Sequence, residues 1–257
     1  MILCSIKNNM AYEYSFASVY DAFTQSVDYE SRADYICNEL KKHGITDGII
    51  LDTACGTGTL SELFIKKGFE VIANDISPEM LSIAGEKLRK YDDKAILLCQ
   101  DMCELDLYGT VDAAVCSLDS INHLLDEDDV IAAFDSIGMF IRPDGIFVFD
   151  VNSQYKHRSV LSGQSFVYED DASFLVWQNT ECDDDDIVAM YIDIFSQDSD
   201  GRYLRMSDYI EERAYSVEFI SSALQQSGFD ILGIFGDMTS SYPEDNEERI
   251  YFFAKKI

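Results

Sequence analysis

The chain has 257 residues, 47% of them hydrophobic, and a formal net charge of -29, which suits one α/β domain with an insertion or at most two small domains. Lys and Arg are scattered, singly or in pairs such as Lys66-Lys67 and Lys255-Lys256; this argues against a grip on nucleic acid, which rests on clustered cations, and favours a neutral or cationic small-molecule partner. No apolar stretch approaches the ~18 residues of a membrane span, and the first residues are too short for a signal peptide, so the expectation is a cytoplasmic protein without a membrane partner.

The chain opens with aromatics at 10–27, Tyr14, Phe16, Tyr20 and Phe23 among them. A helix is expected from Asp28, an N-cap residue, to Gly44, with apolar positions Ala33, Ile36, Cys37 and Leu40 at helical spacing. Strands are then expected at 48–53, 69–74, 95–100, 111–117 and 146–151, alternating with helices. Ser77-Pro78 is a strong helix start, capped by the serine and opened by the proline; the helix it opens is expected to bury Leu81, Ala84 and Leu88. Pro143-Asp144-Gly145 reads as the turn into strand five. After Asn152 four strand-like segments, 165–169, 173–181, 187–196 and 202–212, are separated by acidic turns. They read as antiparallel hairpins with solvated tips at Asp183–Asp186 and Asp198–Gly201. A helix at 216–226 and strands at 229–235 and 250–255 end the chain. The seven cysteines include no C-x-x-C pair and read as reduced core thiols. No metal site is expected.

The rest is organised around Ile49-Ile50-Leu51-Asp52-Thr53-Ala54-Cys55-Gly56-Thr57-Gly58. A buried strand, a glycine turn and a helix start are how α/β proteins cradle a nucleoside-type cofactor. Gly56 and Gly58 let the backbone approach a ligand that a Cβ would repel. The spacing fits neither G-x-G-x-x-G nor a P-loop, which disfavours an NAD-dependent oxidoreductase.

It resembles motif I of the class I S-adenosylmethionine (SAM)-dependent methyltransferases, (D/E)-x-(G/A)-x-G-x-G. Asp75 after strand two, Asp101-Met102 after strand three, Ser117-Leu118-Asp119-Ser120-Ile121-Asn122-His123 after strand four, and Arg142–Asp150 around strand five stand where that family places its other motifs. Phe16–Asp21, the Asp-Ser-Ile-Asn run, the hairpins with Trp177-Gln178 and the closing Arg249–Lys256 resemble a narrower bacterial subgroup, the YqeM-like methyltransferases, similar in layout to N-methyltransferases of amino sugars and glycine. Relatives often carry Trp where Arg32 stands.

The resemblance implies a Rossmann-like, doubly wound seven-stranded α/β sheet with the last strand antiparallel and a β-hairpin insertion after strand five. It implies an N-terminal lid at 1–44, a SAM-binding core at 45–152 and 213–257, and an acceptor-side insertion at 153–212. SAM is then expected against Tyr14, Arg32, Asp52, Ala54, Gly56, Gly58, Asp75, Ile76, Met80, Asp101, Met102 and Ser117. Asp75 is expected on the ribose hydroxyls, Asp101 on the adenine amine, and Asp52 on the turn amides or the methionine moiety. For Asp101 a helix N-cap role competes, and Arg32 is as well suited to pairing with Asp28 or Glu39. Tyr20, Asp119 and His123 are the candidates for the chemistry, with core packing as the alternative for Tyr20 and a structural role as the alternative for His123. His157 is a weaker candidate, and Trp177 reads as packing. The reaction expected is in-line methyl transfer to an N or O nucleophile of a small molecule, driven by proximity. An RNA or protein methyltransferase, and a SAM-binding module that engages a protein partner without catalysis, are the alternatives.

Overall fold

The computed structural model describes residues 16–24, 26–91, 93–169, 173–198 and 200–257. Two helices lead, α1 (Phe16–Phe23) and α2 (Tyr29–Lys42). There follow β1 (Ile49–Thr53), α3 (Thr59–Lys66), β2 (Glu70–Asp75), α4 (Pro78–Leu88), β3 (Ala95–Cys99), β4 (Val111–Cys116), α5 (Glu127–Phe140) and β5 (Ile141–Asn152). Then come β6 (Ser165–Glu169), β7 (Ser173–Asn179), β8 (Ile187–Gln197), β9 (Tyr203–Arg213), α6 (Val217–Gln226), β10 (Phe229–Gly236) and β11 (Arg249–Lys256).

One sheet runs β10-β11-β5-β4-β1-β2-β3 and a second runs β6-β7-β8-β9. In the first, β1 to β5 pair in parallel, while β11 lies antiparallel to both β5 and β10. This is the Rossmann-like arrangement expected. The strands at its centre are apolar on both faces, as a parallel strand covered by helices must be. On one face Ala33, Ile36 and Leu40 of α2 pack with Leu60, Leu63 and Phe64 of α3; on the other, Val130, Phe134 and Ile137 of α5 pack with Ile220 and Leu224 of α6.

Local signals set the helix ends. Asp28 accepts from the Ser31 N–H at 3.0 Å, and Gly44 takes φ +82° just past α2. Ser77 Oγ accepts from the Met80 N–H at 3.2 Å with Pro78 behind it. Leu81, expected in the core, is only half-buried, whereas Ala84 and Leu88 are buried.

Three other expectations change. Strand five begins at Ile141, and Arg142–Gly145 bulges within it, since the pairing jumps from Val111↔Ile141 to Ala113↔Ile146. Asp144 there has φ +62°, and a Cβ on Gly145 would lie 2.6 Å from Ile141 Cγ2, so this tight bulge needs a glycine. Cys116 alone among the described cysteines is buried, and Cys99 is exposed on the edge strand β3. Asp186 is no solvated tip: it is buried, pairs with Arg158, accepts from Gln154 Nε2 at 2.7 Å and stands at φ +63°. Its role is to root the insertion, because an interior carboxylate requires a cation.

The insertion sheet buries Leu175, Ile192 and Ile194, with Trp177 and Phe23 of α1 packed against them. Trp177 thus serves packing, as expected, and its Nε1 donates to Asn179 Oδ1.

Candidate functional site

Strand order reverses between β4 and β1, and the crevice outside the strands' carboxyl ends at such a reversal is where open α/β sheets take their ligands. β1 delivers the glycine turn to it. Ala54, Gly56 and Gly58 all have positive φ, at +56°, +54° and +74°. A Cβ on Gly58 would sit 3.0 Å from Ala84 Cβ, so this glycine lets α4 approach. A Cβ on Gly56 would meet no protein atom within 4 Å. The space over Gly56 is therefore the cradle a nucleoside cofactor needs, and these residues fit one.

The two acids under the turn divide the work differently from the expectation. Asp75, not Asp52, takes the turn amide: its Oδ2 accepts from the Gly56 N–H and its Oδ1 from the Ser77 N–H, both at 2.8 Å. Asp52 accepts from Ser61 Oγ instead. The reason is geometric, since Asp52 lies on a buried strand beneath α3 while Asp75 ends the neighbouring strand beside the turn. Burial pushes the Asp52 carboxyl up to about 7, with the nearby Asp75 charge adding to the rise and the Ser61 bonds opposing it. Burial also raises Asp75, against the pull of its amide bonds.

Along the rim, Ile76 is 58% exposed although apolar, presenting a flat patch beside Asp75. Met80 and Met102 are half-buried. Asp101 caps the short turn after β3, its Oδ1 accepting from the Cys103 N–H at 2.9 Å, so the capping alternative holds a place in the structure. Ser117 is buried and donates to Asp150 Oδ1 at 2.6 Å.

Beyond β4, Asp119, His123 and Glu212 each place one ligand atom within 4.8 Å of the others. Glu212 comes from β9 of the insertion. Burial pushes its carboxyl up, but the His157 and His123 rings and the Asn152 amide outweigh this and hold it below the usual carboxylate range. Its Oε2 accepts from Asn152 Nδ2 at 2.9 Å, and its Oε1 lies 3.9 Å from His123 Nε2. His123 is 45% exposed; His157 is fully buried, with Nδ1 2.9 Å from the Asp186 carbonyl, a structural placement. Arg249 on β11 bridges Asp119 and Asp150. Two carboxylates and an imidazole around one space make a cation-accepting set, suited to an ammonium group or a metal ion.

α1 crosses from the glycine turn to the insertion. Asp21 accepts from Thr57 Oγ1 at 2.5 Å and pairs with Lys87 of α4 at 2.8 Å. Tyr20 is half-buried beside Tyr29 and in the field of Asp119; burial and these neighbours raise its phenol, which stays protonated at neutral pH. Tyr14 lies outside the described residues. Arg32 is buried and pairs with neither Asp28 nor Glu39: its Nη1 donates to Asp237 at 3.2 Å and to the Tyr251 hydroxyl, while its Nε makes no hydrogen bond. Sequence reasoning assigned no role to Asp21, Asp150, Glu212 or Arg249. Only for Asp150 was there a local signal, an acid ending an apolar strand.

A family model described as "Methyltransferase domain" matches residues 50–145. The chain is 34% identical over 242 residues to YqeM of Bacillus subtilis (strain 168), which carries a provisional methyltransferase name, covering 94% of this chain and 96% of that one. A crystal structure of an S-adenosylmethionine-dependent methyltransferase from Clostridium acetobutylicum ATCC 824 superposes with a TM-score of 0.85 at 36% identity, covering 94% of this chain and 97% of that one. A glycine/sarcosine N-methyltransferase of Halorhodospira halochloris is 33% identical over 136 residues, 51% of this chain and 50% of that one.

Proposed function

The chain belongs to the SAM-dependent methyltransferases, and from that premise we propose that it methylates an amine nitrogen of a small molecule. The observation that carries this reading is the Asp119–His123–Glu212 cluster, which joins the loop leaving β4 to β9 of the insertion. The N-methyltransferase relative supports the same acceptor atom.

When bound, SAM supplies a methyl group on a positively charged sulfur, which departs as a neutral thioether. The chain holds the parts around it. The cradle over Gly56 would take the nucleoside, Asp75 would serve the ribose hydroxyls with the lone pairs its two amide bonds leave free, and Ile76, Met102 and Asp101 would hold the base. Arg32, engaged by Asp237 and Tyr251, is a strut behind the site rather than a cofactor ligand. Asp119 and Glu212 attract the acceptor as an ammonium ion, and His123 takes its proton so that a lone pair faces the methyl. Tyr20 on α1 excludes water as part of the 1–44 lid, of which residues 1–15 lie outside the described residues, and the insertion 153–212 roofs the acceptor. The core 45–152 with 213–257 carries the cofactor. Holding the nucleophile in line does most of the work.

The test offers labelled SAM, in parallel, to glycine, sarcosine, amino sugars, total RNA and total protein. Label in a small amine is the expected result, and His123→Ala should slow it about tenfold to a hundredfold. Label confined to RNA or protein would overturn the reading.

A further inference from the structure

The loop leaving β4 is held in a shape its own residues resist. Leu118 and Asp119, neither of them glycine, have φ of +60° and +56°, a region that L side chains disfavour. One carboxylate overrides that preference. Asp150, on β5, is fully buried. Its Oδ1 accepts from Ser117 Oγ at 2.6 Å and the Leu118 N–H at 2.9 Å; its Oδ2 accepts from the Asp119 N–H at 3.2 Å and from Arg249 Nη1. Arg249 Nη2 then donates to Asp119 Oδ1 at 2.6 Å. The cation that neutralises Asp150 therefore also aims the Asp119 side chain.

Consecutive amides converging on an anion form a nest of the kind that elsewhere binds free anions. Here the neighbouring strand supplies the anion. A buried ion pair is weak evidence for stability, because desolvation offsets the attraction. What apolar side chains in its place would not do is specify two left-handed residues in succession. An asparagine is no substitute either, since in either orientation its NH2 would face a donor, the Leu118 N–H on one side or the Asp119 N–H and Arg249 on the other.

We infer that Asp150 is a positioning residue for methyl transfer: through the Leu118 and Asp119 amides and through Arg249 it holds Asp119, and the His123 turn that follows, against the crevice. The inference rests on the proposed function, which makes this loop the acceptor side of the site.

Three measurements on Asp150→Asn, Arg249→Lys and the wild type test it: S-adenosylhomocysteine affinity by calorimetry, hydrogen exchange of the Leu118 and Asp119 amides, and the rate of label transfer from saturating SAM to the small-molecule fraction of a bacterial extract. Asp150→Asn should leave the affinity, and the KM for SAM, within about twofold, because the glycine turn is untouched. It should speed exchange of the two amides about tenfold or more and slow transfer about a hundredfold, as a nucleophile site displaced by an ångström would. Arg249→Lys should keep both amides protected, since Asp150 still holds them, yet slow transfer about tenfold through a misplaced Asp119. Amides that stay protected in Asp150→Asn, transfer that persists, or an affinity that falls in step with transfer would each overturn the inference. A wild type that binds no S-adenosylhomocysteine would instead sink the functional reading, with the exchange rates still reporting whether the clamp exists.

Discussion

At Gly56 an added methyl would meet no protein atom within 4 Å, so Gly56→Ala alters the crevice without disturbing a neighbour. The positive φ costs the alanine about 1–2 kcal/mol, too little to unfold a domain of ordinary stability. The expected result is a slightly lowered melting temperature with S-adenosylhomocysteine affinity reduced about tenfold or more, read by calorimetry. Asp52 offers a second handle. Its folded-state value of about 7 lies above its ordinary 3.8. A raised carboxyl lends stability that is full below the ordinary value and is lost as pH rises through the folded one. The unliganded protein should therefore lose stability between about pH 4 and 7 from this group, a slope that Asp52→Asn removes from a series of melting curves. Glu212, held low, works the other way, its contribution vanishing as the pH falls below the usual carboxylate range. The positive sulfur and ammonium of SAM favour ionised Asp52, so SAM affinity should rise with pH across neutrality, with proton release visible as a buffer-dependent binding enthalpy. An affinity flat from pH 6 to 8 would mean that Asp52 does not sense the cofactor.

α1 is the element whose contacts matter most to the site, because it joins two parts of the molecule. Asp21 ties it to Thr57 inside the glycine turn and to Lys87, and Phe23 packs into the Leu175–Ile192–Ile194 cluster of the insertion. The Asp21–Lys87 pair is part-exposed and worth little by itself; the apolar anchor is worth more. Phe23→Ala should weaken both attachments. We expect amide exchange in β7 and β8 to accelerate and the KM for SAM to rise about threefold to tenfold, as the strap loosens over the turn. Exchange confined to α1 would show that the helix and the insertion move independently.

Across the whole molecule, the insertion is tied to the core by buried and part-buried polar bonds. Asn122 Nδ2 donates to the Arg213 carbonyl at 2.8 Å, Asn152 Nδ2 to Glu212, and Arg213 Nη1 to the Leu125 carbonyl at 2.9 Å. The two sheets should therefore unfold in one thermal transition. S-adenosylhomocysteine at a hundred times its Kd should raise the midpoint of all of it, by an amount equivalent to about 2.7 kcal/mol. Two transitions, with only one responding, would refute that coupling. No helix among the described residues is long and apolar enough to cross a membrane.

The alternation of apolar runs with amphipathic helices, the Ser77-Pro78 start, the paired glycines and the four hairpin strands were all legible in the residues, because period, capping chemistry and backbone freedom are local properties. So was the line of acids at successive strand ends, since each ends its own strand. Which acid serves which partner was not. Asp52 meets Ser61 nine positions on, Asp75 meets the Gly56 amide nineteen positions back, and Arg249 reaches Asp119 and Asp150 across 130 and 99 positions. Buried charge is settled by whichever counter-charge the fold brings within a few ångströms. That is a fact of three-dimensional neighbourhood, and no spacing along the chain encodes it.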